Sequence, residues 1–216
     1  MSTHRPIRVW DLPTRLFHWL LVACFGGLWY TGEEGIMDIH VLLGYTVAGL
    51  LLFRVCWGFV GGRFSRFKAL QLSPKVAINY LRQGMKTDYP GHNPLGSWGV
   101  VLILAGLFFQ VGTGLFSNDS ILTEGPLAQF ISGSLSDELT SLHSDSFDIL
   151  LGIVGLHVAA VLFHTLIYKE DILPGMITGR RKVHTRYSQP EVGSWELFTV
   201  IVLFATMLLT WLADLA

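Results

Sequence analysis

The chain has 216 residues, 15 Lys and Arg against 16 Asp and Glu, and only 14% charged residues in all. A soluble domain carries about 25% charge, so with a mean hydropathy of +0.49 the composition excludes an ordinary water-soluble fold and points to a bilayer. Without a basic excess it also argues against a nucleic-acid partner. Taken in order, the chain opens with MSTHRPIRVWDLP, polar and basic, and no small-residue cleavage site follows its first apolar run. That run, about Pro13 to Thr31, reads as a retained helix and not as a signal peptide. Asp11 stands just outside it and Pro13 in its first turn, a good helix start. A second apolar segment runs from about Asp38 to Val60, a third from Pro94 to Phe116, a fourth from Thr140 to Tyr168 and a fifth from Trp195 to Ala213. Each is near the ~20 residues that cross ~30 Å of hydrocarbon. In lipid such segments must be helices, because no water satisfies an open backbone. The expected fold is an all-α integral membrane protein with five transmembrane helices. Cys24 and Cys56 lie in apolar runs and read as buried thiols. No CxxCH occurs, so no covalently attached haem is expected.

The links between the segments differ in sign. Arg5, Arg8 and Arg15 surround the first helix start. Arg63, Arg66, Lys68, Lys75, Arg82 and Lys86 fill the second link, and Lys169, Arg180, Arg181, Lys182 and Arg186 the fourth. The alternate links hold Glu33, Glu34, Asp38, Asp119, Glu124, Asp137, Glu138 and Asp145, with no Lys or Arg. The positive-inside rule then puts the N-terminus in the cytoplasm and the C-terminus outside, in a multi-pass plasma-membrane protein.

Of the eight histidines, His4, His92 and His184 fall in basic links and read as solvated side chains; the others lie in or at the ends of helices. A polar group within a membrane is expensive and usually functional, although histidine also bridges helices as a plain hydrogen bonder. The spacing favours function. His143 and His157 are 14 residues apart, which places them within about 40° of each other on one helix and ~21 Å apart along its axis. His164 continues the stripe. His40 stands in the first turn of the second helix, on the outer side, whereas His18 lies ~20 Å inward from the outer end of the first helix. Depth pairs His40 with His143 and His18 with His157. The crossed pairs would lie too far apart along the membrane normal for one metal.

Two bis-histidine sites, one toward each face, suit two non-covalent haems b, since neutral imidazole is a good iron ligand. A flat porphyrin needs small neighbours. Gly44 and Gly49 follow His40, Gly152 and Gly155 precede His157, and Gly112 and Gly114 lie in the histidine-free third segment. Ordinary close helix packing would use the same glycines. Arg54 lies 14 residues after His40, at the inner depth, where it would meet a haem propionate or simply anchor the helix at the interface.

The stretches VWDLPTRLFHWLL, DIHVLLGYTVAGLLLFRVCWGFVGGRFSRF, GHNPLG and LHSDSFDILLGIVGLHVAAVLFHTLIYKEDILPGMITGRR resemble the prokaryotic cytochrome b561 family, and within it the nickel–iron hydrogenase type of cytochrome b subunit. The resemblance implies a four-helix bundle holding two haems b over residues 1–182, with 183–216 as a linker and an added C-terminal transmembrane helix. It implies His18 and His157 as ligands of the inner haem iron, and His40 and His143 of the outer one. It further implies electron transfer between a periplasmic redox protein, such as a c-type cytochrome or a hydrogenase-like enzyme, and the membrane quinone pool, with quinone exchanged on the cytoplasmic half near His92, Arg54 and His164. One branch of the family oxidises superoxide to feed quinone. The fifth helix and the long link SNDSILTEGPLAQFISGSLSDEL depart from the short members. A histidine-lined metal-ion transporter is the reading from another class, weakened by the lack of intramembrane Asp and Glu.

Overall fold

The computed structural model describes residues 4–85, 89–121, 123–184 and 187–214. The link cations Lys86 and Arg186 lie outside these. Among the described residues the elements are strand β1 (His4–Arg8), helices α1 (Leu12–Glu33), α2 (Met37–Val60), α3 (Pro74–Arg82), α4 (Pro94–Gly114), α5 (Gly133–Leu166) and α6 (Ile172–Thr178), strand β2 (Arg180–His184) and helix α7 (Trp195–Ala213). The five expected apolar segments are α1, α2, α4, α5 and α7. Four of them, α2, α4, α5 and α7, are long and apolar enough to cross a bilayer. The 22-residue α1 falls outside that set because it spends positions on Arg15, His18, two tryptophans and a pair of glycines.

Three features differ from expectation. Helix α5 begins at Gly133, seven residues before the expected Thr140, because the polar run Ser134–Glu138 is helical and not loop. The second link contains the short helix α3. The helical architecture also carries one small ribbon that the sequence did not announce: β1 pairs antiparallel with β2, with Ile7 opposite Arg181 and Arg8 opposite Arg180.

The chain forms two compact units. The first comprises Met1–Leu16, Val55–Leu102 and Ile153–Phe198; the second comprises Phe17–Arg54, Ile103–Gly152 and Thr199–Ala216. Of the 15 Lys and Arg, only Arg54 falls in the second unit.

In the first unit the β1–β2 ribbon buries Ile7 and Val183 completely, with Val9 and Trp10 beside them. The Asp11 carboxylate, 5% exposed, organises the rest. It caps α1 by accepting the Thr14 N–H at 2.9 Å, an N-cap at the position where such a group is most effective. It also accepts the Trp57 indole N–H at 3.2 Å and the Gly62 N–H at 3.0 Å, so one buried charge joins the start of α1 to the end of α2. A Cβ at Gly62 would stand 2.4 Å from that carboxylate, and only glycine allows the approach.

In the second unit α1 and α2 meet through a three-residue turn in which Gly35 has φ +67°. Phe25 of α1 stacks on Phe147 of α5 with centroids 5.8 Å apart. Gly106 of α4 lies against Leu150, and Gly49 of α2 against Leu209 of α7. Gly49 thus serves close helix packing, one of the two uses the sequence left open for it.

Candidate functional site

His40 and His143 come together in the second unit. Their ring centroids are 6.2 Å apart, with the planes at 80°. The tight α1–α2 turn sets His40 beside Thr31, whose Oγ1 is 3.2 Å from its Nδ1. Thr31 spends its hydroxyl proton on the Gly27 carbonyl at 2.8 Å, so toward the imidazole it can only accept. His143 is held in the same way. Its Nδ1 lies 3.0 Å from the Gln110 carbonyl and 3.1 Å from Thr113 Oγ1, and Thr113 donates to the Phe109 carbonyl at 2.9 Å. A carbonyl cannot donate, so Nδ1 of His143 carries the proton. Both rings are thereby set in the tautomer whose Nε2 has a free lone pair, the form that binds a metal while the other nitrogen is oriented by neighbouring acceptors.

The spacing fits one ion between the rings. Imidazole–metal bonds of about 2 Å on each side, with half a ring added to each, leave the centroids about 6 Å apart. The surroundings also fit a flat group. Gly44, one turn beyond His40, and Gly112 in α4 have nothing within 4 Å of where a Cβ would be, so neither is consumed by helix packing. Gly114 and Gly32 do the opposite: a Cβ there would meet Cε1 of His143 at 3.0 Å and of His40 at 3.3 Å. These two glycines give the rings room.

The remaining expected residues are distributed as follows. His18 lies half-buried on α1 in the second unit, edge-on to Trp19 at 5.0 Å. His157 is exposed on α5 in the first unit. Gly152 and Gly155, just before it, also have nothing within 4 Å of a Cβ. Arg54 is buried at 6% exposure near the end of α2. His164 is buried and engaged elsewhere. Its Nδ1 is 3.2 Å from Glu170, whose second oxygen is 3.5 Å from Arg181. His92 is not simply solvated, since its ring packs on Trp10 at 4.8 Å. Among the described residues no group of three or more His, Cys, Asp or Glu converges as a metal cluster.

Sequence reading missed Thr31, Thr113 and Gln110. Thr113 and His143 are 30 residues apart on different helices, and no local spacing connects them.

Apolar helices that bring two imidazoles together, each oriented through its Nδ1, describe a membrane-embedded, haem-binding helical bundle. The chain belongs to the prokaryotic cytochrome b561 family, whose model matches residues 9–179. It is also similar to the "Probable Ni/Fe-hydrogenase 1 B-type cytochrome subunit" of Escherichia coli (strain K12), and to that of Escherichia coli O157:H7. Each is 34% identical over 77 residues, which cover 27% of this chain and 33% of the relative. The chain therefore spans about a third of the length of the curated relatives it matches. No solved structure matches it. Membership makes the chain a membrane cytochrome of the b type.

Proposed function

We propose that the chain carries electrons across the plasma membrane through two haems b, each held between two histidines, linking a periplasmic redox protein to the quinone pool. His40 and His143 hold the outer haem iron, and His18 and His157 the inner one. The observation that carries this reading is the facing pair His40–His143, 6.2 Å between centroids, with both Nδ1 atoms already committed to acceptors. The inner pair rests on depth: His157 is 14 residues along α5 from His143, ~21 Å deeper, and His18 is matched to it on α1. Haem b supplies reversible one-electron chemistry at its iron. The protein's residues fix the rings, exclude water and tune the potential.

The bundle over residues 1–182 is the electron-carrying domain, and 183–216 adds a linker and α7. Five spans, with α1 among them, put the N-terminus in the cytoplasm. The gathering of nearly all Lys and Arg in one unit supports that orientation through the positive-inside rule. Arg54, buried near the end of α2 and 14 residues after His40, is the cation matched by depth to a propionate of the inner haem, which a guanidinium fork binds well. Quinone exchanges on the cytoplasmic half. There His164, buried, stands 3.2 Å from the half-buried Glu170, a pair of polar groups at the level where a quinone would bind.

The test is haem stoichiometry by pyridine haemochrome on the purified full chain. Wild type is expected to bind two haems. Alanine at His40 or at His143 leaves one, the same one in both cases by its α-band and potential. Alanine at His18 or at His157 leaves the other, and His164→Ala keeps both. One haem in the wild type, or loss of a haem in His164→Ala but not in His157→Ala, overturns the pairing.

A further inference from the structure

The first unit contains an open cavity of about 660 Å³ lined by Arg8, Arg15 and Arg180. We propose that it binds the phosphate of an anionic glycerophospholipid, of the phosphatidylglycerol type. The three guanidinium groups come from three elements. Arg8 and Arg180 stand directly opposite each other in the ribbon, and Arg15 reaches in from the first turn of α1. None of the residues lining the cavity is acidic. Among the described residues none of these three arginines forms an ion pair. Arg15 donates one Nη to the Ile177 carbonyl, while its Nε is buried with no hydrogen-bond partner among the described residues.

Like charges placed opposite each other across a sheet destabilise it, and a buried N–H left unmade costs more than a made bond returns. The positive-inside rule explains why arginines lie on this side of the chain, but not why three converge on one cavity without a counter-ion. A phosphate removes both costs, since arginine forks match its oxygens in pairs.

The walls select a lipid over a free anion. Trp195, 56% exposed, opens α7, and Leu12, 41% exposed, opens α1. Both line the cavity, so it sits where helices enter the apolar phase, the level at which tryptophan and headgroups are found. Leu16 and Leu197, 44% and 43% exposed, continue the apolar surface along the two helices, where acyl chains would run. Basic pockets at such helix ends are known to suit acidic headgroups.

The experiment is native mass spectrometry of the full chain in mixed micelles containing phosphatidylglycerol, phosphatidylcholine or neither with inorganic phosphate added. Wild type is expected to retain one phosphatidylglycerol in preference to phosphatidylcholine. The variant Arg8→Gln with Arg180→Gln should weaken that preference about 10- to 30-fold, and Arg8→Lys with Arg180→Lys should keep part of it. Lys68→Gln with Lys75→Gln, which removes the same charge outside the cavity, should keep all of it. Circular dichroism melts identify any variant that does not fold, and the lysine variant then decides. Equal retention of the two lipids, an unchanged preference in the glutamine variant, or full displacement by millimolar inorganic phosphate would each overturn the proposal, the last by making the site one for free phosphate.

Discussion

At the residue scale, two threonines set the chemistry of the outer histidines. Thr31 and Thr113 each spend their proton on a carbonyl four residues back, Gly27 and Phe109. A hydroxyl that can only accept fixes the proton of the imidazole on Nδ1 and leaves Nε2 bare. Removing such an orienting acceptor usually costs 10- to 100-fold in metal affinity. On the proposed two-haem reading, Thr31→Val is expected to speed loss of the haem held by His40 and His143 about 10- to 100-fold, measured as haem transfer to apomyoglobin, while the other haem is lost at the wild-type rate. Thr113→Val should do less, because the Gln110 carbonyl also accepts from His143 Nδ1 at 3.0 Å. Equal rates for wild type and both variants would mean that the threonines do not orient the rings. The histidines were legible in the sequence because a 14-residue spacing returns to one helix face whatever the tertiary fold. The threonines were not, since the pairing depends on which helices are neighbours and on a rotamer.

At the scale of the element, the ends of helices were harder to read than their existence. Helix α7 matched its expected range, Trp195–Ala213, because polar residues flank an unbroken apolar run. Helix α5 did not, because Ser134, Ser136 and Asp137 are poor helix interior residues kept helical by tertiary bonds. Ser136 donates to the Phe116 carbonyl at 2.7 Å, and Asn118 donates to Asp137 at 2.9 Å. Helix α3 was missed because it is nine residues long in a basic link. Its anchor is Tyr80, 3% exposed, which accepts from Asn93 at 3.1 Å. Burial, reinforced by the charge of Glu170, pushes the Tyr80 phenol up to about 12. A folded-state pKa above the unfolded value of about 10 means that the neutral phenol contributes stability fully below pH ~10 and loses it as pH rises toward about 12. Melting temperature is expected to fall between pH 10 and 11.5 more steeply for wild type than for Tyr80→Phe, with the two curves parallel below pH 9. Parallel curves throughout would show that Tyr80 ionises as it does in the unfolded chain.

At the scale of the whole molecule, charge is sorted between the two units, and the unit that holds the His40–His143 pair also holds most of the acids. Glu124, Glu138 and Asp145 lie on the link and on the first turns of α5. A single-sign patch beside a redox centre steers an oppositely charged partner and raises its association rate. The proposed partner is a basic periplasmic redox protein such as a c-type cytochrome. Stopped-flow electron transfer is expected to slow as ionic strength rises from about 0.01 to 0.5 M, where the Debye length falls from ~30 Å to well under 10 Å. The variant Glu124→Gln, Glu138→Gln, Asp145→Asn should show a shallower dependence; Asp137 is left intact because it holds Asn118. A rate that stays flat or rises with salt would remove electrostatic docking from this surface. The ribbon, finally, bears on biogenesis. Its strands join residues 4–8 to 180–184, so β1 leaves the ribosome long before its partner exists. At about 5–20 residues per second the wait is roughly 10–40 s, during which α1, α2, α4 and α5 are all made. The ribbon can close only once residues 180–184 have been made, so its pairing serves as a checkpoint on the insertion of the helices between, and an arrested or wrongly threaded nascent chain would leave β1 unpaired and open to proteolysis.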